Sequence, residues 1–149
     1  MATTWDGLPI APDPPHGAAI AVWRRSTVGV EWLLLHANPA NRDGTDPPGH
    51  WDWGCPSGSR FPGEALETCA RRELEEETGL RLLIRPSVED PTWPVYVAEA
   101  PDGASVRLSE EHDAYRWVPL EEALALIRPE YVAAKFEQAA RTVESACSG

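Results

Sequence analysis

The sequence predicts one α+β layered domain. Strand-sized apolar runs stand before and after a single uninterrupted helical stretch, and a second long helical stretch closes the chain. The length agrees, since 149 residues suit one domain rather than two. With 42% apolar residues and seven tryptophans, the chain can bury enough surface to fold without staples.

Residues 1–15 carry Pro9, Pro12, Pro14 and Pro15 and are expected to form an extended, mobile arm, with 16–149 as the domain proper. Gly17–Arg25 and Val30–His36 read as two strands around a Ser-Thr-Val-Gly turn. Ala37–Gly49 is polar and rich in turn residues, so it is a loop, and Trp51–Trp53 is a short strand. Cys55–Gly63 is again a loop. Glu64–Thr78 is the clearest helix, free of Gly and Pro and ended by Gly79 as its C-cap. Leu80–Ile84 and Thr92–Ala98 read as strands, and Pro94 argues that the second lies near a sheet edge. Ser105–Leu108 follows the Pro101–Gly103 turn as a short strand, and Tyr115–Val118 is another. Pro119 opens a helix over Leu120–Ile127. The last helix, Glu130–Ser145, places Val132, Phe136, Ala139, Ala140 and Val143 at helical spacing.

A net charge of −11 repels a nucleic-acid backbone, so the expected partner is a small phosphate-bearing molecule, not a polymer. A divalent cation would have to mediate its binding. No apolar run reaches the ~18 residues of a membrane span, and the N-terminus lacks the pattern of a secretory leader. Cys55, Cys69 and Cys147 are odd in number and form no CxxC pair. A soluble, reducing, cytoplasmic setting is expected, with monomer and homodimer both open.

On a helical wheel at ~100° per residue, Leu66, Cys69, Ala70 and Leu74 define the apolar stripe of the central helix. Glu73 and Glu77 fall inside it and Glu76 on its edge, while Glu67, Arg71 and Glu75 point to solvent. A glutamate-rich surface helix is the plain alternative at this point, and the phase of these carboxylates against the apolar stripe weighs against it. Glu73 pairs with Glu77 at i,i+4 and with Glu76 at i,i+3, so the three can converge on one point. Part-buried like charges are costly unless compensated. A hard cation such as Mg2+, with Mn2+ as a substitute, removes both penalties and leaves room for substrate phosphates. Arg72 lies beside this edge and can orient a carboxylate by a charge-assisted hydrogen bond. Ser57, Gly58 and Gly63 let the preceding loop turn sharply toward a ligand.

Gly58, Glu64, Arg72, Glu73, Leu74, Glu76, Glu77, Gly79 and Leu80 fill every defined position of the Nudix box, so the chain resembles the Nudix hydrolases. The resemblance implies an α/β/α sandwich with a mixed central sheet. It also implies metal-dependent hydrolysis of a pyrophosphate bond in a nucleoside diphosphate-linked substrate. By that match Glu73, Glu76 and Glu77 hold magnesium, a backbone carbonyl near Ser57 or Gly58 completes the shell, and a carboxylate takes the proton from water. Ser109–Trp117 (SEEHDAYRW) resembles a segment of the asymmetrical diadenosine tetraphosphate hydrolases. That match implies Glu111 as a distal catalytic carboxylate, His112 as a phosphate contact and Tyr115 as a base-stacking ring. The chain departs from that subfamily at Ser57, where those enzymes carry lysine, and at Phe61, where many boxes are acidic. Two rival readings remain at this point. One is a nucleotide-binding module of the same fold without turnover. The other is an isoprenyl diphosphate isomerase, which would need a catalytic cysteine such as Cys55.

Overall fold

A computed structural model of the chain describes all residues except Met1, Trp5, Asp43, Ser148 and Gly149. Its strands are β1 (Gly17–Ser26), β2 (Gly29–Ala37), β3 (Trp53–Gly54), β4 (Ser57–Ser59), β5 (Ile84–Val88), β6 (Val95–Glu99) and β7 (His112–Val118). The helices are α1 (Leu66–Thr78), α2 (Leu120–Leu126) and α3 (Glu130–Cys147). The strands form one mixed sheet in the order β3-β2-β1-β6-β5, with β4 added to β1 and β7 to β2. Only β1 and β6 run parallel; the other pairs are antiparallel.

Strand alternation sorts the core into two layers. Ala18, Ile20 and Val22 of β1, with Leu33 and Leu35 of β2, meet Ala70 and Leu74 of α1. The alternate residues Ala19, Ala21, Trp23, Trp32 and Leu34 meet α2 and α3 through Ala123, Phe136, Ala139 and Val143. The sheet is therefore sandwiched between α1 on one face and α2 with α3 on the other, the α+β architecture expected.

Several local expectations are corrected. The Cys55–Gly63 loop contains β4, which pairs Ser57–Ser59 with Gly17–Ala19 and draws the loop onto the sheet. The strand expected at Leu80–Ile84 begins only at Ile84. Gly79 turns the chain in the left-handed region at φ 74°, and the Leu80 N–H is occupied by a bond to the Thr78 hydroxyl. Ser105–Leu108 forms no strand, and it cannot return onto β6, which already has β1 and β5 on its two sides. For the same reason β6 is an interior strand, not an edge strand. Pro94 is tolerated because it precedes β6 and serves only as an acceptor, from Ala19 N–H at 3.0 Å.

The Pro-rich segment lies against the domain. Ala11 is buried, and its N–H donates to the Arg60 carbonyl at 2.7 Å. Among the described residues no helix is long and apolar enough to cross a membrane.

Candidate active site

The α1 helix buries Cys69, Ala70, Glu73, Leu74, Glu77 and Thr78. Glu73 is 7% exposed and Glu77 2%, so the two carboxylates occupy core positions, as their phase on the wheel requires. Gly58 makes this possible, because a Cβ there would collide with the Glu73 carboxylate.

Glu77 accepts the Ser57 backbone N–H at 3.2 Å through one oxygen, and its other oxygen is buried without a hydrogen-bond partner. The resemblance implies a carbonyl from this loop; here the Ser57 N–H is turned toward the carboxylate. Burial, then the charges of Glu73 and Glu111, push the Glu77 carboxyl well above the ordinary range. Burial pushes Glu73 up to about 7, against the pull of Arg72. Two buried carboxylates this close hold like charge in a low-dielectric setting, which favours either a shared proton or a cation.

The Arg72 guanidinium organises the polar edge. It donates to Glu64 in bidentate fashion at 2.8 and 2.9 Å, to the Ser59 carbonyl at 2.9 Å, to Glu73 at 2.9 Å and to Glu76 at 3.2 Å. One face of it covers the Phe61 ring, 3.9 Å from the centroid. Phe61 thus takes the place of an acidic residue by stacking on the arginine. Burial alone would depress Arg72, but the Glu64 bond and the charges of Glu73, Glu64 and Glu76 raise it, so it stays cationic.

The three box carboxylates do not converge as the sequence expects. Glu73 and Glu77 meet, whereas the Glu76 side chain is 54% exposed and drawn to Arg72. Among the described residues no group of three His, Cys, Asp or Glu side chains surrounds one point. Glu111 lies near enough to act electrostatically on Glu77, with its backbone fixed by Asn38 N–H to the Glu111 carbonyl at 2.8 Å.

His112 begins β7 and is part-buried, with Nδ1 lacking a hydrogen-bond partner; burial lowers its pKa. It lines a cavity of about 620 Å³ that also reaches Ser57. The walls are largely aromatic, including Trp51, Trp53, Trp93, Tyr131 and Phe136. Tyr115 is not part of it. It pairs with Leu35 in register, which puts its side chain on the α1 face of the sheet, 43% exposed. Sequence reasoning passed over Trp51, Trp93 and Lys135 as lining residues. Lys135, the only lysine of the chain, is held by Asp90 at 3.2 Å and the Trp93 carbonyl at 3.0 Å. No motif marks these residues; their singularity and the tryptophan count were the available signals.

Cys55 also lines the cavity, but burial pushes its thiol up to about 12.

The NUDIX domain family matches residues 14–140. The chain belongs to this family and is a Nudix hydrolase, a pyrophosphohydrolase acting on phosphoric anhydrides. Over 111 residues it is 37% identical to the bis(5'-nucleosyl)-tetraphosphatase [asymmetrical] of Mus musculus, covering 65% of this chain and 69% of that protein. Over 123 residues it is 34% identical to the enzyme of the same name from Rattus norvegicus, covering 73% and 78%. A crystal structure of a C. elegans Ap4A hydrolase binary complex shares the fold, with a TM-score of 0.68 at 24% identity over 87% of this chain and 97% of that one.

Proposed function

We propose that the chain hydrolyses a dinucleoside polyphosphate in a reaction dependent on Mg2+, with Mn2+ as a substitute. The observation behind this is the pair of buried, mutually repelling carboxylates, Glu73 and Glu77, one oxygen of which has no partner. A hard cation fits that donor set and removes its cost. Glu73 and Glu77 would hold it, and Glu76 would join them by leaving Arg72. When bound, the cation supplies phosphoryl polarisation, an acidified water and neutralisation of leaving-group charge. The relatives named tetraphosphatases support the substrate class.

Glu111 is the candidate base. It accepts a proton from water as the water oxygen bonds to phosphorus and the bridging P–O bond breaks toward the departing phosphate. Arg72 fixes the carboxylates and remains charged throughout. His112, kept neutral by burial, offers an N–H to a phosphate oxygen. Ser57 and Gly58 border the phosphates, and the aromatic cavity receives a nucleoside. Tyr115 could stack a base only outside this cavity. The acidic surface suits a small nucleotide in a cytoplasmic setting over a polymer or a membrane.

The test is a magnesium-supplemented panel of nucleoside triphosphates, dinucleoside polyphosphates and nucleotide sugars, read by released phosphate or nucleotide. Preference for a dinucleoside tetraphosphate is expected. Equal or better turnover of nucleotide sugars would overturn the substrate class.

A further inference from the structure

The Arg60 side chain is buried, 6% exposed, although nothing in the box motif requires a cation there. A buried guanidinium is stable only when its donors are spent. Those of Arg60 are spent on three residues, two in the N-terminal arm and one just before the acidic helix. Nε donates to the Pro15 carbonyl at 2.7 Å and Nη2 to the Asp13 carbonyl at 2.8 Å, with the Asp13 carboxylate at 2.9 Å. Nη1 donates to the Glu64 carbonyl at 2.9 Å. The backbone adds two bonds between the same segments: Arg60 N–H to the His16 carbonyl at 2.8 Å, and Ala11 N–H to the Arg60 carbonyl.

Glu64 joins Arg60 to the acidic helix. Its carbonyl is held by Arg60, one carboxylate oxygen takes the Phe61 N–H at 3.1 Å, and both oxygens grip Arg72. Arg72 in turn holds Glu73 and Glu76. A continuous set of hydrogen bonds therefore runs from the N-terminal arm to the box carboxylates; the Arg60 side chain bonds both the arm and Glu64, while the His16 ring, 3.0 Å from the Ala11 carbonyl, reaches only the arm. We propose that Arg60 is a positioning residue for the hydrolytic site, fastening the N-terminal arm to Glu64 and thereby fixing Arg72 and the cation-holding carboxylates. The arm is then a working part of the site.

This role depends on Glu73 and Glu77 being cation ligands, and two readouts separate the claims. Mn2+ affinity is measured by electron paramagnetic resonance on substrate-free protein, and kcat and KM on the best substrate of the panel. Wild-type protein that neither binds Mn2+ nor turns over would sink the proposed function. With wild type active, Arg60→Gln is expected to weaken Mn2+ binding and lower kcat, each about tenfold, as loss of an outer partner of a metal site does. KM should stay within about twofold. Arg60→Lys, which keeps the charge but not the fork, should recover part of both. Val143→Ala, in the core face of α3, supplies the control for lost stability: it lowers Tm without moving Mn2+ affinity. Arg60→Gln added to Glu64→Gln should cost no more than Glu64→Gln alone, since Arg60 acts through Glu64. Unchanged Mn2+ affinity in Arg60→Gln, a change no larger than that of Val143→Ala, or losses that multiply in the double variant would each overturn the proposal. Should Arg60→Gln fail to fold, Arg60→Lys carries the same comparisons.

Discussion

The two long helices cover opposite faces of one sheet, yet they bury different chemistry. The α3 helix turns Ala133, Phe136, Ala139, Ala140 and Val143 inward, all apolar. The α1 helix buries Cys69, Ala70 and Leu74, but also Glu73 and Glu77. Each apolar side chain on α3 gains transfer free energy on folding. Each buried carboxylate on α1 loses hydration and repels the other. The α3 face therefore holds the domain together, while the α1 face gives up stability to keep two acids in the core. A sheet this well covered on one side can tolerate that cost on the other.

Neutralising one acid should produce the largest contrast. Glu77→Gln is isosteric and keeps an acceptor for the Ser57 N–H, but removes a buried charge. Turnover should fall on the order of 10³-fold, comparable to loss of a principal electrostatic group. Thermal stability measured without metal should hold or rise. Val143→Ala should do the reverse. It should cost about 2 kcal/mol through the lost methyls and residual cavity, lower Tm by several degrees and leave kcat unmoved. Calorimetry and steady-state kinetics on both variants check this. A Glu77→Gln protein that is destabilised yet active would break the comparison.

This contrast was visible in the sequence because periodicity reports burial directly. Glu73 and Glu77 fall in phase with Leu66, Ala70 and Leu74, and no tertiary information is needed to see it. The helices and the β1–β2 pair were legible for the same reason. The short strand β4 was not, since Ser57–Ser59 carries no apolar alternation and owes its conformation to pairing with β1. Pro94 misled because a proline signals a missing donor without showing which side of the strand needs one. Convergence of Glu76 with its neighbours was expected from spacing alone. Spacing does not register that Arg72, four residues before Glu76, competes for the same carboxylate. The aromatic cavity draws on β3, the segment before β6, and α3, and only the fold unites these.

The same contrast predicts a dependence on pH. Burial raises Glu73 from 4.5 to about 7 and raises Glu77 as well. Between those values the folded state holds more protons than the unfolded state, so these groups make stability fall as pH rises. Below about 4.5 the acids are protonated in both states and their penalty vanishes; above about 7 it is complete for Glu73. In EDTA, the Tm of wild type should therefore drop relative to Glu77→Gln across this window. Millimolar Mg2+ at about pH 8 should restore much of the difference, because a ligand of the folded state adds stability. Parallel melting curves for the two proteins, with no divergence in EDTA, would separate the buried acids from any such cost.

The smallest effect concerns an acid that serves the α3 face. Glu144 accepts the indole N–H of fully buried Trp32 at 2.7 Å, and that ring meets Phe136 edge-on with centroids 5.4 Å apart. Here the carboxylate satisfies a buried donor, the opposite of the arrangement on α1. Glu144→Gln preserves an acceptor but loses the charge assistance, a cost of about 1 kcal/mol. Part of this is offset, since a negative charge in the last turn of α3 opposes the helix dipole. The net change should be a Tm lower by no more than a few degrees, with kcat untouched. Glu144→Ala leaves the indole without a partner and should cost more, about 1–3 kcal/mol. If Glu144→Gln instead stabilised the protein as Glu77→Gln is expected to, burying acid would be costly on both faces, and the division between them would lie in the number of donors each acid finds.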